Sequence, residues 1–394
     1  MSGVLDGLRV LDLGRYVAGP YCATLLGYLG ADIIRIERPG GGEDRFIAPI
    51  DERDAGSVMM QTGCNKRSLT LNLKAAEARA ILDRLVEASD IVVANLPPAS
   101  LSRIGLDYER IRRLNPRIIL TSVTAFGSGG EWADRGGFDG VGQAMSGAMY
   151  MTGTPGQPAK AAAPYVDYSS AVLAAFGTLA AVLERERSGK GQHVQGSLLA
   201  TALAVFNSHL IEEGALAPGR TPSGNRVQTS GPSDVFATRD GHVLIHVIGQ
   251  SMFARLANLI GAVEWLDDPG LRTDRQRGDR RDELCARVGD WCAARSTDEA
   301  VEAFAAAGIP AGPVLTLADA LSHPAVAATE LLRDVAYPGR SATAPVAGLP
   351  VTLSRSAAGI TAPPPAVSEH SDEILAELGF DAETIAGWRH AGVV

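Results

Sequence analysis

Asp167 heads a long apolar helical stretch, Ser169 to Arg185, and a carboxylate so placed has two uses. As an N-cap it accepts hydrogen bonds from the first helical N–H groups. As a nucleophile it is held ionised by the positive end of the helix, and spare N–H groups can receive a developing oxyanion. A carboxylate that attacks a carbonyl gives an acyl anhydride, a covalent route open to Asp and Glu. Asp139 lies in a small-residue helical pattern, Phe138 to Met151, and is either a second carboxylate or a surface charge. His193, His242 and His246 offer general bases, although a strand histidine at alternate spacing is commonly just packed. None of them has metal-ligand spacing, so no metal is expected. The chain has no G-x-S-x-G, which leaves a serine hydrolase unsupported.

The elements that must position this chemistry begin with Val10 to Pro39. Leu8 to Leu13 reads as a buried strand, Gly14 to Pro20 as a loop, and Tyr21 to Leu29 as a helix closed by Gly30. Ile33 to Ile36 starts a second strand, so the stretch is a βαβ unit and implies a parallel sheet. Ligands of such sheets sit beyond the carboxyl ends of the strands, where helix N-termini favour anions. Gly14 and Gly19 are wrongly spaced for G-x-G-x-x-G, and Arg38 after the second strand suits a phosphate better than a ribose hydroxyl. The stretch therefore suggests a phosphorylated, nucleotide-like ligand other than NAD.

Further strands are expected at Ser68 to Asn72, behind a basic entry Asn65-Lys66-Arg67, and at Asp90 to Asn95 and Arg117 to Val123. Helices are expected at Lys74 to Ala88 and Arg103 to Leu114. The order is that of a doubly wound, Rossmann-like α/β domain over residues 1–213. Residues 214–231 read as a linker or mobile loop, and 232–330 as a smaller α+β domain. In the latter, Asp240-Gly241 marks a hairpin. Residues 331–394 read as a C-terminal segment that returns to the large domain, with an α/β-type pattern from Leu349 to Val394.

A net charge of −9 without a basic run argues against nucleic acid. Ala171 to Leu183 and Leu198 to Leu210 fall short of the ~20 residues of a membrane span, so no membrane partner is expected. Four cysteines without C-x-x-C indicate neither zinc nor a disulfide framework. MSGVLDGL lacks the cationic and apolar regions of a secretory signal, which makes the cytoplasm the expected compartment.

Seven segments in order resemble the class III CoA-transferases, of the formyl-CoA and carnitine-CoA transferase type. They are GLRVLDLGRYVAGPYCATLLGYLGADIIRIERP, NKRSLTLNLK, NPRIILTSVTAFG, ERERSGKGQHV, SDVFATRDGHVLIHV, AAGIPAGPV and SEHSDEILAELGF. The resemblance implies that Asp167, in PYVDYSSA, is the catalytic aspartate, which passes through an aspartyl anhydride and an aspartyl-CoA thioester. It implies CoA contacts at Val17, Ala18, Arg38, Asn95 and Arg103, with CoA and acyl-CoA as substrates and no tightly bound cofactor. The partners it implies are an acyl-CoA donor, a carboxylic acid acceptor and a second copy of the chain, in an interlocked homodimer.

The same family includes α-methylacyl-CoA racemases, which resemble this chain except that Gly-His-Asp is replaced by Gly137-Phe138-Asp139. Phenylalanine cannot move a proton, and racemisation needs a base on each face of the carbon, so transfer is favoured. A non-catalytic acyl-CoA-binding protein and an acyl-CoA hydrolase are the remaining alternatives. Arg15-Tyr16-Val17 departs from the formyl-CoA type, which has Gln after its loop His. Arg15 and Arg135 are candidates to pair with the far carboxylate of a dicarboxylic substrate, and Asp139 is a candidate substrate contact. Ser223 to Asn225 and Ser230-Gly231 could serve as a lid where some members have a glycine run.

Overall fold

The computed structural model describes residues 3–50, 55–338 and 340–394. Six strands form one parallel sheet: β1 Arg9–Asp12, β2 Asp32–Glu37, β3 Lys66–Thr70, β4 Ile91–Ala94, β5 Ile119–Thr124 and β6 His193–Ser197. Their order is β3-β2-β1-β4-β5-β6, so the winding reverses between β1 and β4. That reversal is the feature of doubly wound sheets, and it opens a crevice at the carboxyl ends of the two central strands. Successive residues explain the layering, because strand side chains alternate between faces. Val10, Ile33, Val93 and Ile119 face a core shared with the Ala18–Tyr28 and Tyr165–Ser188 helices. Leu11, Ile34, Val92 and Leu120 face the opposite core, with the Ala78–Glu87 helix and the C-terminal Ile374, Leu375, Ile385 and Val393. Both faces of every central strand are covered, which is why these strands read as continuous apolar runs.

The described residues within Met1–Ser146, Ala161–Ile211 and Ala327–Val394 make up this compact unit. The second unit comprises Gly147–Lys160 and Glu212–Val326. In it β7 Asp234–Ala237, β8 His242–Ile245 and β9 Ala311–Pro313 form an antiparallel sheet, joined at β7–β8 by the expected Asp240-Gly241 turn. Val243 and Ile245 point into a core with Phe253, Leu284 and Phe304, while His242 and Leu244 alternate outward.

Several elements differ from the sequence expectation. The first helix begins at Ala18 and takes Pro20 into its first turn, so the loop after β1 shortens to Gly14–Val17. Pro is tolerated there because the first N–H groups have no intrahelical acceptor. Arg103 to Leu114 is two helices, Pro98–Ile104 and Tyr108–Leu114, separated by Gly105 in the left-handed region at φ 75°. The Tyr165–Ser188 helix has 24 residues and by length and composition is long enough to cross a membrane, unlike the shorter stretch read from sequence. Here it packs along the Ala18–Tyr28 helix and against β5 and β6.

The basic entry to β3 is not a ligand patch. The Lys66 side chain is fully buried, donating to Asp12 Oδ2 at 2.6 Å and to the Pro20 carbonyl at 2.8 Å. Burial lowers its pKa. Arg67 instead binds Asp32, Glu373 and Glu377, so it fastens the C-terminal segment to the edge of the sheet. Asn65, at φ 58°, does the same through its amide. It donates to the Gly27 and Gly359 carbonyls and accepts from the N–H groups of Thr361 and Ala362. Asn65→Ala removes all four bonds and places an alanine in a left-handed conformation that asparagine tolerates better. A loss of about 2 kcal/mol is expected in denaturant unfolding, with faster proteolysis around Gly359–Ala362. Unchanged unfolding and cleavage would show that this staple is redundant.

Candidate active site

A cavity of about 380 Å³ lies at the sheet's reversal point, over the carboxyl ends of β1, β4 and β5. Arg15, Tyr16, Val17 and Ala18 line it from the first loop, Asn95 and Pro97 from beyond β4, and Thr124 and Ala125 from the end of β5. Gly137, Phe138 and Asp167 complete it. Of the residues singled out in the sequence, the structure brings Asp167, Val17, Ala18, Asn95 and Arg15 together here.

The first loop is held in shape by its neighbours. Gly14 N–H donates to Asp12 Oδ1 at 2.8 Å. Asn95 grips Arg15 twice, accepting from its N–H and donating to its carbonyl, both at 2.7 Å. Gly19 permits this approach, since a Cβ there would sit 3.1 Å from Asn95 Cγ and 2.9 Å from Gly14 Cα. The Asn95 amide is therefore engaged with protein backbone, as a clamp on the loop.

Asp167 differs from its expected role as a helix cap. It is the third residue of the Tyr165–Ser188 helix, and Pro164 occupies the cap position with no side-chain bond. The capping carboxylate comes from Asp139, whose Oδ1 accepts the N–H of Val166 at 2.7 Å and of Asp167 at 3.2 Å. The Tyr165 and Tyr168 N–H groups go to the carbonyls of Ala163 and Pro164. This first turn thus has no spare donors for an oxyanion, contrary to the sequence reading. Asp139 is only 5% exposed and is not a surface charge. Its Oδ2 accepts from Gln143 Nε2 at 2.5 Å, and Gln143 Oε1 accepts from the Ala161 N–H. Gln143 went unnoticed in the sequence, although its i,i+4 spacing from Asp139 was visible.

The consequence is electrostatic. Asp167 is 9% exposed, and burial, followed by the nearby charge of Asp139, pushes its pKa up to about 7. The expectation of a carboxylate stabilised by its helix is overturned, because the cap itself brings a negative charge. A carboxylate poised near neutrality and facing a cavity is a strong nucleophile once ionised, since it is poorly solvated and poorly hydrogen-bonded. Tyr168, next in sequence, has its hydroxyl pushed up to about 12 by burial and by the neighbouring Tyr21 and Asp167. It donates to Gln61 Oε1 at 2.5 Å.

Other sequence candidates lie outside the cavity. Arg38 is exposed beyond β2 and donates to the Gly41 carbonyl at 2.9 Å. Arg103 is exposed in the last turn of Pro98–Ile104. Arg135 lies over the Trp132 ring, 4.1 Å from its centroid, with Glu131 at 3.9 Å, rather than among the cavity residues. His193 donates to or accepts from Ser122 Oγ at 2.8 Å and stacks on Tyr108, and burial lowers its pKa. It is a packed strand histidine. Among the described residues no cluster of His, Cys, Asp and Glu could hold a metal ion. Sequence reasoning missed Tyr16, whose backbone adopts φ 62° and whose ring meets Phe138 edge to face at 5.1 Å.

Known proteins resemble this chain over nearly its whole length. Residues 5–371 match CoA-transferase family III. The chain is 33% identical to the succinate–glutarate CoA-transferase of Agrobacterium fabrum, with 95% of each chain covered. It is also 33% identical to the succinyl-CoA:mesaconate CoA-transferase of Haloarcula marismortui, over 97% of this chain and 98% of that one. The crystal structure of a CAIB/BAIF family protein from Brucella suis superimposes with a TM-score of 0.84 at 30% identity, covering 96% of this chain and all of that one. The chain therefore belongs to family III of the CoA-transferases.

Proposed function

We propose that the protein moves CoA from an acyl-CoA to a dicarboxylic acid through covalent intermediates on Asp167. The observation that carries this is the buried Asp167 carboxylate, with its pKa near 7, facing the cavity at the sheet's reversal point. Ionised Asp167 attacks the thioester carbonyl, forming a mixed anhydride and expelling CoA thiolate. The thiolate attacks the aspartyl carbonyl, giving an aspartyl-CoA thioester and releasing the donor acid as its carboxylate. An acceptor carboxylate attacks that thioester, forming a new anhydride and freeing the thiolate again. Thiolate attack on the acceptor acyl carbon then yields the new acyl-CoA and restores Asp167. The anhydrides hydrolyse readily in water, so a cavity that limits water around Asp167 favours transfer. Phe138 in the cavity supplies no proton transfer, which weighs against racemisation.

CoA contacts are assigned to Val17 and Ala18 at the cavity, with Asn95 acting through the loop that it clamps. The exposed guanidiniums of Arg38 and Arg103 suit the nucleotide phosphates outside it. Succinate, glutarate and mesaconate, named for the two relatives above, are dicarboxylic acids. Arg15 lines the cavity with its side chain half exposed and its ion-pair partner, Glu43, at 3.9 Å, which supports its pairing with a distal carboxylate. Arg15→Ala should raise KM for dicarboxylic acceptors about tenfold while changing KM for monocarboxylic ones little. Equal changes for both would sink the assignment.

An interlocked homodimer is part of the proposal. Val172, Leu173, Phe176 and Leu183 leave an apolar stripe exposed on the Tyr165–Ser188 helix, of the kind that a second chain covers. Light scattering should give twice the chain mass of 41.1 kDa.

The deciding experiment incubates the protein with acyl-CoA and hydroxylamine and maps the modified peptide by mass spectrometry. A hydroxamate on Asp167 supports the covalent route. An unmodified Asp167 across several active donors overturns it.

A further inference from the structure

The loop residue Tyr16 carries a cost that the fold does not explain. Its backbone lies in the left-handed region, at φ 62°, where a residue with a side chain is strained. The conformation is imposed from both sides. Asn95 fixes Arg15 by two bonds, and the Val17 carbonyl is taken by the Tyr21 N–H at 2.8 Å. A glycine would satisfy this geometry without strain. The Tyr16 ring lies outside both cores of the unit, as does Phe138. Phe138 is in fact 59% exposed. The two rings instead meet edge to face at 5.1 Å, at an interplanar angle of 87°, on the wall of the Asp167 cavity. Val17, Val141 and Leu198 continue that wall, and the cavity's volume, about 380 Å³, is near the lower end for ligand sites.

We propose that Tyr16 is a specificity-determining residue, whose ring, braced by Phe138, admits compact acyl groups to Asp167 and turns away longer ones. The inference rests on the reading of this cavity as the place where acids reach Asp167. The strained backbone aims the ring into the cavity, and the Asn95 clamp keeps it from swinging away. The length limit acts on monocarboxylic and dicarboxylic acids alike, because it comes from the space beside Asp167 and not from Arg15.

The test measures kcat/KM for linear acceptor acids of increasing length, with and without a second carboxylate, using one fixed acyl-CoA donor. Wild type should lose about tenfold between acids of about five and about eight carbons. Tyr16→Gly, which removes the ring and relieves the backbone, should flatten that decline to within about threefold. Its thermal midpoint should be no lower than that of wild type, so a folding defect is not the cause. Tyr16→Phe should keep the wild-type profile. A Tyr16→Gly enzyme that is slower with every acid by the same factor would overturn the inference, as would a flat wild-type profile. A shifted length profile without a hydroxamate on Asp167 would sink the covalent route and leave the role of Tyr16 standing.

Discussion

Replacing Asp167 with Asn is expected to cost roughly four orders of magnitude in kcat for CoA transfer, and at the same time to stabilise the fold above neutral pH. The first effect follows from chemistry, since an amide is not a competent nucleophile toward a thioester. The second follows from linkage. The carboxyl is held at about 7 in the folded protein against an ordinary value of 3.8, so the folded state binds its proton more tightly than the unfolded state does. Stability contributed by this group is therefore present at low pH and is lost as pH rises from about 4 to about 7. Above that range the ionised carboxylate is a burden on the fold, and Asn, which does not titrate, escapes it. After discounting for partial solvent access, the variant should exceed wild type by roughly 1–3 kcal/mol at pH 8. The difference should shrink toward zero near pH 4. Denaturant unfolding of both proteins across that interval measures it. A variant less stable than wild type at pH 8 would show that Asp167 is held by contacts that favour its ionised form.

A site that strains its own scaffold is a site that sequence patterns describe only in part. The large unit was legible because its strands are short apolar runs in a regular order with helices, and covering both sheet faces leaves little choice of architecture. The cavity loop was legible too, because ligands of such sheets gather at strand carboxyl ends. What failed to show was the exchange of roles between two carboxylates. The first helical N–H groups looked available to Asp167, which is near them in sequence, yet Asp139 reaches them from another helix. A cap contributed by a distant segment leaves no periodic signal. Lys66 failed for a similar reason: a charged residue at a strand entry looks solvated until Asp12 and the Pro20 carbonyl are brought to it by the fold. The left-handed backbone of Tyr16 is equally hidden, since no residue type announces it.

Asp139 separates charge from position, and two substitutions distinguish them. Asp139 raises the pKa of Asp167, the Asp167 charge in turn helps raise that of the largely buried Tyr168, and Tyr165 is raised by burial and by Asp139. Asp167 must be ionised to attack, so wild-type kcat/KM should fall as pH drops through about 7. Asp139→Asn keeps an oxygen for the Val166 and Asp167 N–H groups and removes the negative charge. Burial still holds Asp167 above its ordinary value, so the acid limb should move down by about one pH unit rather than vanish. The Asn amide also meets the Gln143 amide donor to donor, at a cost of about 1 kcal/mol in stability. Asp139→Ala removes the charge as well, and so moves the limb by a similar amount, but it strips the cap. Val166 and Asp167 N–H groups lose their acceptor, and the first turn that carries the nucleophile frays. A further loss of about 100-fold in kcat at saturating pH is expected, since small displacements of a reacting group cost that much. The contrast between the variants carries the result. If both variants move the limb but only Ala also loses kcat, Asp139 sets the nucleophile's pKa by charge and its place by hydrogen bonding. If neither moves the limb, the repulsion between the two carboxylates is not what tunes Asp167.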